Sequence, residues 1–185
     1  METITIESIH TEFIRAVEEE SGQDVSQCYQ CGNCTAGCPF AFSFDIPVHQ
    51  IMRLVQMGQK EKVLGSRAIW LCATCETCTT RCPCEVDVAG VMDTLRVMAR
   101  REKMVSERGI QRFYDAFLDS VRRHGRVYEV GVLMRYNLRS GRPFGDAELG
   151  PKLLGKGKLH FLPIRIQGTA AVKGIFDRFA KKRDA

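Results

Sequence analysis

The chain has 185 residues, of which 44% are hydrophobic and 26% charged, and its formal net charge is +5. This composition predicts one soluble globular domain, or one domain with an extension, with enough chain to form a core. No apolar run approaches the ~20 residues that cross a bilayer, so a membrane anchor is excluded.

The charge is divided unevenly along the chain. Residues 1–90 carry 6 basic and 12 acidic side chains, whereas residues 91–185 carry 21 basic and 10 acidic ones. Two halves of opposite sign suit docking surfaces, because complementary potentials speed and orient encounters, although such charges also simply keep helices solvated. The basic residues are scattered through helical patterns without a recognisable binding module, so no nucleic acid is expected as a partner.

Hydrophobic periodicity predicts helices throughout the first half. The first helix covers residues 6–20, with Ile6, Ile9, Phe13 and Val17 on one face, and ends at Gly22. Asp45-Ile46-Pro47 is typical of a helix start, and the helix predicted there ends at Gly58. A linker element is predicted over residues 61–70. Asp87 is the predicted N-cap of a third helix. The apolar stripe of the helix after Pro47 is Val48, Ile51, Met52 and Val55, and that of the helix after Asp87 is Val88, Val91, Met92, Leu95 and Met98.

The second half continues as separated helices. Ser106 is the predicted cap of a helix that ends at Gly125 and carries Ile110, Phe113, Tyr114, Phe117 and Val121. Further helices are predicted over residues 127–138, 146–154 and 169–182, with glycine and proline between them. Such short helices suit an arm that lies on a partner, so we expect a domain over residues 1–104 and a helical extension over residues 105–185 for docking.

Eight of the nine cysteines form two copies of one pattern, and the copies are offset by 44 residues. Each copy has three cysteines at intervals of three residues, a fourth cysteine four residues later, and then a proline. This internal repeat predicts two halves packed with pseudo-twofold symmetry. The copies are Cys28, Cys31, Cys34, Cys38 and Pro39, and Cys72, Cys75, Cys78, Cys82 and Pro83.

The cysteine spacing matches an iron–sulfur ligand run better than the alternatives. Three thiolates separated by two residues each can reach three corners of a four-iron cube from one tight loop, and the fourth corner needs a more distant cysteine. Disulfides need an oxidising compartment, and Met1-Glu2-Thr3-Ile4 does not resemble the start of a signal peptide. Structural zinc prefers two separated pairs of cysteines. Cys84 lies outside both copies and is expected to be a small thiol, not a ligand.

The two copies resemble the ligand runs of bacterial two-cluster [4Fe–4S] ferredoxins, in which the fourth cysteine of each run ligates the other cluster. The resemblance implies two [4Fe–4S] clusters. The implied ligands are Cys28, Cys31, Cys34 and Cys82 for cluster 1, and Cys72, Cys75, Cys78 and Cys38 for cluster 2.

The stretch between the two runs favours an all-α fold. Small ferredoxins join their runs by short strands and turns, whereas residues 39–71 here hold a full helix and part of another. The chain therefore resembles the α-helical ferredoxin domain of heterodisulfide reductases, and more distantly the iron–sulfur subunits of glycerol-3-phosphate, glycolate and succinate dehydrogenases. Residues 155–163 are similar to the C-terminal segment of the small two-cluster subunit of soluble heterodisulfide reductases.

This resemblance implies an electron-transfer subunit of a cytoplasmic heterodisulfide reductase complex in methanogenesis. The implied partners are a flavin and iron–sulfur subunit, fed by hydrogenase or formate dehydrogenase, and a catalytic subunit with Cys-Cys-Gly cluster sites. That catalytic subunit reduces the mixed disulfide of coenzymes M and B. No membrane partner is expected in this interpretation.

The chain is expected to have no active site of its own. It lacks a Gly-x-Gly-x-x-Gly fingerprint, and Pro151 disrupts the only stretch similar to a phosphate loop. A Cys-Cys-Gly motif outside the runs is also missing, so catalysis is expected on another polypeptide. The histidines are isolated in sequence and are expected at the surface or at helix caps: His10, His49, His124 and His160.

Two other functions stay open at this point. The chain could be the iron–sulfur subunit of a membrane-associated dehydrogenase that passes electrons to quinone or haem. It could also be a binding module in which clusters serve only structure.

Overall fold

The computed structural model describes residues 11–141 and 162–184, with side chains up to Lys181. All regular structure in these two ranges is helical, without a strand, so the all-α prediction is confirmed. Within the same ranges, no helix combines the length and the apolar character that crossing a membrane requires. The predicted helix over residues 146–154, the segment 155–161, His10 and His160 lie outside the described residues.

The chain forms two compact units, residues 1–107 and residues 108–185. The first unit contains both cysteine runs and, besides two 3-10 turns, only α-helices in its described part. Its helices are α1 (Thr11–Ser21), α2 (Asn33–Ala36), α3 (Val48–Gln56), α4 (Lys60–Leu64), α5 (Ala68–Leu71), α6 (Thr77–Thr80) and α7 (Val88–Arg101).

The core of the first unit lies where α7 packs against α1, α4, α5 and α6, and α3 packs against α1 and α4. The predicted stripes of α3 and α7 face this core, because all nine of their residues are buried. Phe13 and Val17 bury the inner face of α1. Each such aliphatic side chain contributes roughly 1.5–3 kcal/mol to folding stability when fully buried. The stripes therefore stabilise the helices to which the cysteine loops are attached.

The linker predicted as one element over residues 61–70 is instead two short helices, α4 and α5. Gly65 ends α4, and Arg67 immediately precedes α5. The break has a physical cause, because the carboxylate of Asp45 accepts hydrogen bonds from the N–H groups of Arg67 and Ala68 at 2.8 and 2.9 Å. A new helix therefore begins where a distant side chain supplies its cap.

In the second unit, the described helices are α8 (Arg108–His124), α9 (Glu129–Arg139) and α10 (Thr169–Asp184). The prediction that Ser106 caps α8 is wrong, because α8 begins two residues later and the Ser106 hydroxyl donates to the carbonyl of Ser66 at 3.0 Å. The aromatic stripe of α8 is only partly covered, with Phe113 41% and Phe117 36% exposed. The Phe113 ring packs edge-on against Tyr136 of α9.

Candidate metal centre

The two cysteine loops have the same backbone path. The residue two positions after the first cysteine has a positive φ in each loop, 68° at Gln30 and 50° at Thr74. Gly32 and Glu76 are also related by the 44-residue offset, and both have a left-handed backbone and precede a one-turn helix. The third cysteine of each run lies on that helix. The internal repeat therefore extends to the backbone of the loops.

The second loop and the end of the first loop share one cavity. Its lining includes Cys72, Cys75 and Cys78 of the second run together with Cys38 of the first. The other lining residues are mostly apolar: Phe40, Phe44, Val48, Ala73, Thr77 and Met92. Four thiols around an apolar opening match the four irons of a cubane cluster, so the residues present fit that group.

The first loop gathers its own three cysteines. Burial raises the pKa of the Cys34 thiol, hydrogen bonds with Thr35 oppose that rise, and the charges of Cys28 and Cys31 add to it, so the three thiols interact electrostatically. Two cysteines that follow the second loop interact with this side as well. Desolvation is the largest of the effects that raise the pKa of Tyr29, followed by the charges of Cys31 and Cys84, a hydrogen bond with Cys31 and the charge of Cys82. Both Cys82 and Cys84 thus lie near the first loop.

Burial opposes free thiolates at the inner positions of the second loop. It raises the pKa of Cys72, and it raises the pKa of Cys78 to about 11. A buried thiolate needs a cation, and cluster iron supplies one, so binding of a cluster would release protons from these thiols. In the described ranges no three Cys, His, Asp or Glu residues could hold a single metal ion. A four-iron cube is wider than one ion, so its ligands lie farther apart than the ligands of a single metal ion.

A threonine joins each cysteine loop to the helix that follows. Thr35 and Thr79 come directly after the third cysteine of each run. The Thr35 hydroxyl accepts from the N–H of His49, the second residue of α3, at 3.0 Å. In the second half, the Thr79 hydroxyl accepts from the N–H of Ala89, the second residue of α7, at 3.1 Å. Each hydroxyl therefore caps a helix and fixes the loop to it.

The same two helices also hold the start of each loop. On α3, the Gln56 amide donates to the carbonyls of Val25 and Cys28, both at 2.8 Å. On α7, Arg96 donates to the carbonyls of Ile69 and Cys72 at 2.8 and 2.6 Å. Each side chain thus binds the first cysteine of its run and the residue three positions earlier. The two interactions are equivalent in geometry, but one donor is neutral and the other is a cation.

Two aspartates cap helices that lie next to the cysteine loops. The Asp87 carboxylate accepts from the N–H of Gly90 at 2.9 Å, which confirms it as the N-cap of α7. Asp45 does not cap the nearby α3, whose preceding residue is Pro47. Its carboxylate instead caps α5, which ends one residue before Cys72. A residue that follows the first run therefore positions the second.

The two histidines in the described ranges are not grouped with the cysteines. His49 lies at the start of α3 and its ring Nδ1 is 2.9 Å from the Thr35 hydroxyl. His124 ends α8, and its ring packs edge-on against Tyr128. Both positions agree with the expectation that these histidines lie at the surface or at helix caps.

The sequence interpretation did not identify Gln56, Arg96 or the role of Asp45. The sequence does contain a pattern that identifies Gln56 and Arg96 as equivalent. Each is the ninth residue of the helix that follows its cysteine run. The helices are offset by 40 residues, not 44, so the correspondence emerges only when helix starts are aligned instead of cysteines.

The class of domain follows from comparison with known families. Residues 24–86 match the family model described as a 4Fe-4S dicluster domain. The matched range includes all nine cysteines, and the part of the structure it covers is helical. Residues 24–86 of this chain are therefore similar to 4Fe-4S dicluster domains.

Relatives with assigned names are similar to this half of the chain. One is the C-subunit of the H(2):CoB-CoM heterodisulfide,ferredoxin reductase of Methanothermobacter thermautotrophicus, 34% identical over 89 residues, or 48% of each chain. A second is an iron-sulfur C-subunit of the CoB--CoM heterodisulfide reductase of Methanocaldococcus jannaschii, 34% identical over 110 residues, or 55% of this chain and 59% of the relative.

A third relative is the C-subunit of the Ferredoxin:CoB-CoM heterodisulfide reductase of Methanosarcina mazei, 34% identical over 92 residues, or 50% of this chain and 56% of the relative. The aligned region spans about half the length of these relatives. The resemblance to the C-subunits of heterodisulfide reductases is thus confirmed for that region, and the relatives are subunits of an oxidoreductase.

Proposed function

We propose that this chain is the electron-transfer subunit of a heterodisulfide reductase complex. The observation that carries the proposal is the cavity in which Cys38 of the first run meets Cys72, Cys75 and Cys78 of the second. That meeting supports the exchange of fourth ligands between the runs, the arrangement of two-cluster ferredoxins.

The proposed ligand sets follow the same exchange. Cluster 2 is held by Cys72, Cys75, Cys78 and Cys38, which line the common cavity. Cluster 1 is held by Cys28, Cys31, Cys34 and Cys82. The proximity of Cys28, Cys31 and Cys34, and of Cys82 to Tyr29, supports this second set. Cys84 remains a free thiol in the proposal.

When bound, the two clusters supply one-electron transfer between a flavin-bearing subunit and the subunit that reduces the heterodisulfide of coenzymes M and B. The chain itself contributes position and environment. The loops fix the thiols, Gln56 and Arg96 fix the loop carbonyls, and apolar side chains such as Phe44 and Met92 keep water from the second site. No group on this chain performs the disulfide chemistry, so the proposed catalytic site, with its Cys-Cys-Gly cluster motifs, lies on the partner.

The proposed complex is cytoplasmic, with hydrogenase or formate dehydrogenase upstream of the flavin subunit. Support comes from the names of relatives, one of which is a C-subunit of the H(2)/formate:CoB-CoM heterodisulfide,ferredoxin reductase of Methanococcus maripaludis. The proposed division of labour places the clusters in residues 1–104 and partner docking in residues 105–185, where most of the basic excess lies.

Anaerobic purification of the tagged chain from its native cells tests this function. We expect brown protein that dithionite reduces reversibly, with electron paramagnetic resonance signals from [4Fe–4S] centres. We also expect a flavin-bearing subunit to copurify. Copurification with a membrane cytochrome and no flavin subunit would instead identify a dehydrogenase of the quinone-linked type, and colourless protein without inorganic sulfide would refute both.

Removal of residues 141–185 should leave the iron content unchanged and reduce recovery of the flavin subunit. The tail carries α10, which packs on α8 and pairs Asp177 with Arg122 at 2.6 Å. Because truncation also uncovers α8, a second variant keeps α10 and replaces three exposed basic residues with alanine: Lys173, Arg178 and Lys181.

The measurement is the amount of flavin subunit that copurifies with each variant per mole of iron. We expect both to lower recovery, because complementary charges guide docking. Normal stoichiometry with both variants would show that this segment does not dock the complex.

A further inference from the structure

One buried charge distinguishes two otherwise equivalent sites. Gln56 and Arg96 hold the first cysteine carbonyl of their loops with matching pairs of hydrogen bonds. The Arg96 side chain is only 12% exposed, so water screens its charge weakly. The corresponding position in the first half carries a neutral amide.

The charge of Arg96 lies beside the second loop. Its guanidinium donates to the carbonyl of Cys72, the first cysteine of that run, at 2.6 Å. A buried cation favours any negative charge that is added near it. One-electron reduction of a cluster adds one such charge.

We infer that Arg96 raises the reduction potential of cluster 2 relative to cluster 1, so that an electron shared between the clusters resides mainly on cluster 2. This inference rests on the proposed ligand sets. It makes Arg96 a positioning residue that also sets the direction of transfer, and it makes Gln56 its neutral counterpart.

Neighbouring acidic groups oppose Arg96 only weakly. Asp93 contacts the guanidinium at 3.2 Å but is 56% exposed. Glu76 follows Cys75 in the chain, and it too is exposed. Charges on the surface are screened by water and salt, whereas a buried charge is screened much less. The buried guanidinium therefore has a larger effect on the second site than either exposed carboxylate.

An anaerobic redox titration of the loaded chain, followed by electron paramagnetic resonance, tests the inference. The parent should show two transitions, and the one lost in Cys75→Ala belongs to cluster 2. Arg96→Gln copies the amide of the first half and should lower the midpoint of that transition alone. The expected change corresponds to about tenfold weaker electron binding, which is about 59 mV for a one-electron couple. Arg96→Lys retains the charge and should retain the midpoint.

Gln56→Arg is the reciprocal variant and does not depend on the stability of the second loop. It should raise the midpoint of the other transition. If both midpoints stay within error in Arg96→Gln and in Gln56→Arg, or if both variants move the same transition, the inference is overturned. Absence of any cluster transition in the parent would instead refute the proposed function.

Discussion

Replacement of Cys38 by alanine should empty the site formed by Cys72, Cys75 and Cys78 and leave the first site loaded. The reason is geometric, because Cys38 lines the cavity of the second run although it belongs to the first. Iron and sulfide per chain should fall by about half if one of two equal clusters is lost. Cys82→Ala should produce the converse loss at the first site.

Double variants show which cluster each change removes. Cys38→Ala combined with Cys75→Ala affects one site twice, so its iron content should equal that of either single variant. Cys38→Ala combined with Cys31→Ala affects both sites, so that variant should hold almost no iron. If each fourth cysteine instead ligates the cluster of its own run, the variant with Cys38→Ala and Cys75→Ala will hold almost no iron, and the variant with Cys38→Ala and Cys31→Ala will match the single variants.

Cys84→Ser is the matched control for this series. Its thiol lies near the same tyrosine as Cys82, so proximity alone does not separate the two. The repeat does separate them, because Cys82 is offset from Cys38 by the 44 residues that relate the cysteines of the two runs. Serine at position 84 should leave iron and both electron paramagnetic resonance signals intact, and a loss of iron there would identify Cys84 as the ligand.

Asp45→Ala should loosen the helix that leads into the second loop. The carboxylate accepts from the hydroxyl of Ser66 and from the N–H groups of Arg67 and Ala68, all within 3.0 Å. Ser66 and Ala68 are buried, so two of these donors would lose an acceptor away from water. The expected cost is about 1–2 kcal/mol for opening of α5, in the range for loss of a helix cap.

Amide hydrogen exchange of the peptide covering residues 66–71 measures that opening. We expect exchange to rise by roughly 5- to 30-fold in the loaded protein, which corresponds to the stated free energy. Asp24→Ala is a suitable control, because Asp24 caps an exposed turn and should leave residues 66–71 unaffected. Unchanged exchange in Asp45→Ala would contradict the capping role.

The effect of Asp45 should depend on pH in a defined direction. Burial alone would raise the pKa of the carboxyl, but hydrogen bonds from Arg67, Ser66 and Ala68 together lower it below its ordinary value. A group whose pKa is lower in the folded state stabilises fully above its unfolded pKa of about 3.9 and loses that effect as the pH falls through the folded pKa. Parent and variant should therefore differ most at neutral pH and converge in acid.

The helical stripes of the first unit could be read from sequence because their periodicity is local. Val48 and Val88 each begin a run of buried residues, and both helices start within one residue of the predicted place. The cap of α5 could not be predicted in that way. Asp45 is more than 20 residues from its donors, and its own neighbourhood, with a proline, resembles the start of another helix.

The equivalence of Gln56 and Arg96 was hidden for a different reason. The connection from the fourth cysteine to the next helix is four residues longer in the first half than in the second. Alignment of the cysteines therefore pairs Gln56 with Arg100 and conceals the correspondence. The packed helices, not the loops, determine which side chains reach each loop carbonyl.

For the aromatic face of α8, the sequence predicted the stripe but not how much of it is exposed. Its spacing predicts a stripe, and the stripe exists, but Phe113 and Phe117 keep more than a third of their surface exposed. Periodicity reports which residues share a face, and it does not report how much partner surface covers that face.

The threonine hydroxyls bonded to the ends of α3 and α7 have a mechanical consequence. Thr35 and Thr79 each follow the third cysteine of a run and are held by a helix whose inner face is buried. A thiolate mounted in this way can shift little when the charge beside it changes. Little movement means a small reorganisation energy, and a small reorganisation energy permits fast electron hopping at low driving force.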